Sequence, residues 1–143
     1  MSRRGRKNWS NFEKTKRICK QLILHRVKDD LSQTNLSEDI GTTFQQYQKH
    51  EKCSNRIYGE QLVSIFENRK WNPEIIMMAD PEATLDEWIK SIPDSEIKTR
   101  KIVKIKNAWK LLDTNGFKSY YGNVKDHDPD HISNMKPIIP KGD

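Results

Sequence analysis

Residues 98–110 read KTRKIVKIKNAWK, six lysines or arginines with no aspartate or glutamate among them. Cations at this density attract anions. Phosphate suits them best, because several Lys and Arg side chains along one surface each release counterions on contact, so binding weakens steeply with salt. The candidates in this stretch are Lys98, Arg100, Lys101, Lys104, Lys106 and Lys110. A second set lies near the start: Arg3, Arg4, Arg6 and Lys7, then Lys14, Arg17 and Lys28. Aromatic rings beside cations can stack on unpaired bases, and Trp9, Tyr120 and Tyr121 are placed for it. The competing reading makes Trp9 a hydrophobic staple next to a cap at Ser10, and makes the tyrosines pins for the C-terminal tail.

Other constellations are poorer in chemistry. The run DHDPDH brings Asp126, His127, Asp128, Asp130 and His131 together. A metal site needs ligands converging from a scaffold, and this run sits in a proline-containing stretch without periodicity, so it reads as a solvated turn. His50 and Cys53 with Cys19 and His25 lack zinc-finger spacing, and Cys19 belongs to an apolar stripe. Asp113 to Gly116 opens like a calcium loop but lacks the twelfth-position glutamate. Of the acids at 74–96, Asp80, Asp86 and Glu87 have capping or first-turn explanations. No Walker loop, G-x-S-x-G or H-E-x-x-H occurs. The expectation is a protein that is not an enzyme, with no cofactor and no metal; a metal-dependent nuclease using the Asp/His tail is the remaining catalytic reading.

Charge is segregated. Residues 1–28 carry ten basic groups and one acid, residues 29–97 six basic and fourteen acidic, and residues 98–112 six basic and none acidic. The whole chain of 143 residues has a net charge of +6, which favours anionic partners. The bland alternative is a solvated basic face paired with the acidic middle of the same chain. Two cysteines without a CxxC make no disulfide framework and point to a reducing compartment. No signal peptide or membrane span is visible. A cytoplasmic location is expected, or a nuclear one in a eukaryote, with SRRGRK as an import signal.

Helical periodicity must position these groups. A helix is expected over 10–31, opened by a capping box at Ser10 and Glu13, with Phe12, Cys19, Leu22, Ile23 and Val27 on one stripe. Lys14, Arg17, Gln21, His25 and Lys28 form the opposite, positive stripe. SQTN at 32–35 reads as a loop and Ser37 as the cap of a helix over 37–52. A short helix at 59–70 presents Leu62, Val63, Ile65 and Phe66. Asn72-Pro73 and Asp80-Pro81 are cap-then-proline starts, and EIIMMA after the first reads as core on all sides. Thr84 and Glu87 read as a further capping box, opening a helix with Leu85, Trp88 and Ile89 that Pro93 stops. The last helix runs from 94 to 113, with Ile102, Ile105, Trp109 and Leu112 inward and Asn115-Gly116 as its stop. Trp71, Trp88 and Trp109 are assigned to the core.

The fold class expected is all-α: a compact bundle of about five or six helices at 10–116, with a flexible basic arm at 1–9 and an extended tail at 117–143. The function expected is that of a non-catalytic nucleic-acid-binding subunit. It would hold the RNA or DNA backbone through two basic helices within a larger complex with other protein subunits, and without base-specific readout. Charge reversal of Lys104, Lys110 and Arg17 should then weaken binding in a folded protein. The alternative is a structural or adaptor subunit, of a ribonucleoprotein, viral or phage particle, docking on an acidic partner surface. Neither a membrane nor a small-molecule substrate is implied.

Overall fold

The computed structural model describes the backbone of residues 9–121 and the side chains of residues 11–114. Positions 1–8 of the basic arm and 122–143 of the tail, with the DHDPDH run, lie outside the described residues. Every element among the described residues is helical, and there are seven rather than five or six: α1 (Trp9–Lys28), α2 (Gln33–Ile40), α3 (Phe44–Glu51), α4 (Gly59–Arg69), α5 (Pro73–Met78), α6 (Pro81–Ser91) and α7 (Glu96–Tyr121).

The extra helix comes from a break inside the expected 37–52 segment. Ser32, not Ser37, caps α2: its hydroxyl accepts from Asn35 N–H at 3.0 Å, and the Asn35 side chain accepts from Ser32 N–H at 2.9 Å. The SQTN stretch is therefore the start of a helix. Gly41 then ends α2 in the left-handed conformation, φ 69°, a geometry that glycine adopts without penalty. Thr43 restarts the chain as α3 by accepting from Gln46 N–H at 3.1 Å. The two cap-then-proline starts hold, with Asn72 capping α5 and Asp80 capping α6. Thr84 is not a cap. It lies inside α6 and returns its hydroxyl to Asp80 O at 3.0 Å, because Asp80 has already capped the same helix by accepting from Ala83 N–H. The last helix does not stop at Asn115-Gly116 but continues to Tyr121.

α1 is the hub. Seven consecutive residues, 21 to 27, are buried, so this helix is enclosed all round rather than along one stripe. One side packs with α6 and α7: Cys19, Ile23, Leu24 and Val27 meet Leu85, Ile105, Trp109 and Leu112. The other meets α2–α5, where Leu22 joins Leu36, Tyr47, Leu62, Ile65, Trp71 and Ile76. At about 1.5–3 kcal/mol for each fully buried large aliphatic side chain, Leu22, Ile23 and Leu24 alone anchor both halves. Trp88 is half-buried against the first cluster. EIIMMA is not enclosed: Ile76 is buried, but Met77 and Met78 face outward, since α5 offers only one side to α1. Val63 likewise points outward from α4.

Several enclosed polar groups of α1 are paired with neighbours, although Gln21 Oε1 has no hydrogen-bond partner. Gln21 Nε2 donates to Ala79 O at 3.1 Å and to Thr84 Oγ1 at 2.9 Å. His25 Nδ1–H donates to Gln21 O at 2.9 Å, and its ring lies 5.4 Å from the Trp71 ring. Arg26 makes a two-pronged pair with Glu51 of α3, at 2.6 and 3.0 Å, and also donates to Leu31 O at 3.1 Å. Gln33 Nε2 adds a third donor to Glu51 at 3.0 Å. Such geometry is what allows a buried ion pair to persist.

Candidate nucleic-acid interface

α1 and α7 are antiparallel neighbours. Lys16 pairs with Asp113 at 3.5 Å, Trp109 Nε1–H donates to Lys20 O at 3.0 Å, and Lys101 Nζ donates to Lys28 O at 2.9 Å. The two basic segments thus lie side by side, but they do not make one positive face. The opposite stripe expected on α1 is interrupted at its centre. Gln21 and His25 are buried under the α5–α6 connection and Trp71, which leaves Lys14 exposed and Arg17 and Lys28 half-buried. Arg17 has its Nε enclosed without a hydrogen-bond partner.

The α7 cations divide by position. Lys98 lies on the core stripe with Ile105 and Trp109 and is only 5% exposed. Its ammonium donates to Ile89 O at 2.7 Å, Ile92 O at 3.0 Å and Asp94 Oδ1 at 2.9 Å. Three donors with three acceptors leave none for a phosphate. Its proximity holds the Asp94 carboxyl below its usual pKa, first through the hydrogen bond and then through its charge. Lys101 is half-buried and pairs with Asp30 at 3.2 Å besides its bond to Lys28 O. Arg100 is exposed and makes a loose pair with Glu96 at 3.4 Å. Lys104, Lys106 and Lys110 are exposed. At 3.6 residues per turn, Arg100 and Lys104 fall on one flank of the core stripe, and Lys106 and Lys110 on the other.

Each flank borders a groove, and the two differ in charge. On the Lys106 side a groove of about 330 Å³ between α1, α6 and α7 is lined by Lys20, Lys106 and Lys110 but also by Glu82, Asp86 and Asp113. Three cations face three carboxylates, so this side is balanced. On the Arg100 side a groove of about 440 Å³ is lined by Arg100, Lys101 and Lys104 against the single carboxylate of Asp30, over Val27, Leu31, Ser32 and Ile97. This groove carries the surplus. Val27, Leu31 and Ser32 entered no sequence-based site, because the α1–α2 turn meets α7 only in the folded chain.

The side chains of Trp9, Tyr120 and Tyr121 lie outside the described residues, although their backbones belong to α1 and α7. So do Arg3, Arg4, Arg6 and Lys7. Among the described residues no group of three or more His, Cys, Asp or Glu is arranged for a metal ion, and no helix is long and apolar enough to cross a membrane. Cys19, Cys53, His25 and His50 do not form a four-ligand set: the His25 ring lies tilted against Trp71, and Nδ1 of His50 bonds Asn55 O at 3.1 Å. No protein-family model, curated protein or solved structure matches the chain.

Proposed function

We propose that this protein is a non-catalytic nucleic-acid-binding subunit that holds a phosphate backbone along the Arg100–Lys104 flank of α7. The observation that carries the reading is the unequal charge of the two groove linings: three cations with one carboxylate, Asp30, in this groove (Glu96, outside the lining, pairs loosely with Arg100), and three with three in the other. The surplus stands on a rigid helix, with Lys101 fixed by Lys28 O and Asp30 so that Arg100 and Lys104 are the outward contacts. Backbone contact of this kind attracts and positions without reading sequence.

The test is a salt titration of fluorescence anisotropy on labelled single strands and duplexes of RNA and DNA. Each lost phosphate contact reduces the log–log salt slope by roughly 0.9 on a duplex or roughly 0.7 on a single strand. Arg100→Glu with Lys104→Glu is expected to weaken binding and flatten the slope by about two such contacts, while Lys110→Glu does much less. Unchanged affinity in the folded double variant refutes the reading.

A second reading is favoured by a separate observation. Ile97, Val103 and Leu111 are 62%, 51% and 54% exposed, interleaved with the cations of α7. Apolar side chains gain little against phosphate and much against protein. An adaptor subunit docking this face on an acidic partner uses both sets, and absence of binding to all four nucleic-acid probes selects it.

A further inference from the structure

Cys19 and Cys53 take no part in the α7 face, yet the fold brings them together from distant positions. Cys19 is fully enclosed on α1, whereas Cys53 follows α3 and remains 7% exposed. Both belong to the same core cluster. One main-chain atom gathers them: His50 O lies 3.2 Å from Cys19 Sγ and accepts from Cys53 N–H at 3.1 Å. The two thiols are also within hydrogen-bonding reach of each other. Cys53 adopts φ 63°, a left-handed conformation uncommon for a residue with a Cβ. It ends the α3 turn with its side chain among the core residues that surround Cys19.

We propose that Cys19 and Cys53 are a modification site, an oxidisable thiol pair that closes to an intramolecular disulfide when the protein meets a peroxide. Cys53 reacts first, because it is the less enclosed of the two residues. Its thiolate attacks one peroxide oxygen; the S–O bond forms, the O–O bond breaks, and the departing hydroxide takes a proton to become water. The Cys19 sulfur then attacks the Cys53 sulfur. The S–S bond forms, the S–O bond breaks, and the second hydroxide leaves as water with the Cys19 proton. Two thiols give up two electrons and one peroxide becomes two waters.

The electrostatics agree with this order. The single Cys19 S–H has two acceptors in reach, His50 O and the Cys53 sulfur. Donation to Cys53 holds the Cys53 thiol below its usual pKa, with help from Lys16 and against its burial. The same bond, reinforced by burial, keeps Cys19 protonated well above the usual range. A lowered thiol on the less enclosed residue with a protonated thiol behind it is the arrangement of an attacking and a resolving cysteine.

The test uses the full chain, folded and reduced, treated with hydrogen peroxide and read by non-reducing intact mass and peptide mapping. The expected product is a monomer lighter by two hydrogens, resistant to thiol alkylation, with the Cys19 and Cys53 peptides joined. Dithiothreitol restores the original mass. The cross-link ties α1 to the α3–α4 connection and is expected to raise Tm by about 10 °C, from the entropy of closing this loop in the unfolded chain. The reaction should slow when the chain is first unfolded in urea. Oxygen accumulating on Cys53 while Cys19 stays open to alkylation after denaturation overturns the proposal. So does a disulfide-linked dimer as main product, or no change at peroxide levels that already oxidise the exposed Met78.

Discussion

Lys98→Met separates the structural cations of α7 from those free to meet an anion. The substitution keeps most of the apolar stem and removes the ammonium. Three hydrogen bonds go with it, at 2.7, 3.0 and 2.9 Å. Two of the acceptors are main-chain carbonyls, Ile89 O in the last turn of α6 and Ile92 O just after it. Such terminal carbonyls have no partner within their own helix. Left unpaired, each costs about 1 kcal/mol or somewhat more. The third acceptor, Asp94, is fully exposed and adds nothing that needs counting. The expected loss is therefore about 2 kcal/mol, which lowers Tm by about 5–8 °C in a chain of this size. Urea unfolding followed by circular dichroism measures it, and the salt slope for nucleic acid measured on the same sample should not move. A variant with unchanged urea midpoint but a salt slope flatter by one phosphate contact would refute the reasoning, since Lys98 would then be a ligand contact and not the clasp at the end of α6.

Three further outcomes follow from the core. Burial holds the His25 imidazole below its usual pKa, so the folded chain keeps it neutral while the unfolded chain takes up a proton below about pH 6.5. Its contribution is fully present above that pH and is lost as pH falls toward the folded value, at no more than about 1.4 kcal/mol per pH unit; a wild-type urea midpoint no more pH-dependent than that of His25→Gln would contradict this. Arg26→Met strands the Glu51 carboxylate in the core and is expected to cost about 3–5 kcal/mol, whereas Arg26→Met with Glu51→Leu should recover much of it in a double-mutant cycle. Gly41→Ala is expected to cost about 1 kcal/mol by thermal melt; an added Cβ meets nothing within 4 Å, so the cost arises from φ 69° alone, and a neutral substitution would show that the turn relaxes.

Features decided within a few residues were legible in the sequence. Asn72-Pro73 and Asp80-Pro81 place a carbonyl-type acceptor before a proline at the first helical position, and both start helices. The inward stripe of Ile105, Trp109 and Leu112 was visible as helical spacing. What periodicity could not show was what lies on the far side of α1. Gln21 and His25 look like the wet face of an amphipathic helix, and only Ala79, Thr84 and Trp71, far along the chain, turn them into core. The same blindness affects the candidate interface. KTRKIVKIKNAWK announces six cations, but Asp30, Glu82, Asp86 and Asp113 decide which flank keeps a surplus. Asp113 belongs to α7 itself, but Asp30, Glu82 and Asp86 reach it through tertiary packing that leaves no periodic trace in the sequence.

The enclosure of α1 has a consequence for synthesis. Its partners on one side, α2 to α5, follow closely along the chain, but Ile105, Trp109 and Leu112 come some eighty residues later. At about 5–20 residues per second, the ribosome delivers α7 on the order of ten seconds after α1. For that interval the side of α1 that carries Ile23, Leu24 and Val27 lacks its α7 partners. The nascent chain therefore presents an apolar helix side that α7 must later cover. Folding of the finished chain carries the same signature: the α1–α7 contacts are its most non-local, so their loop closure is expected to set the slow step.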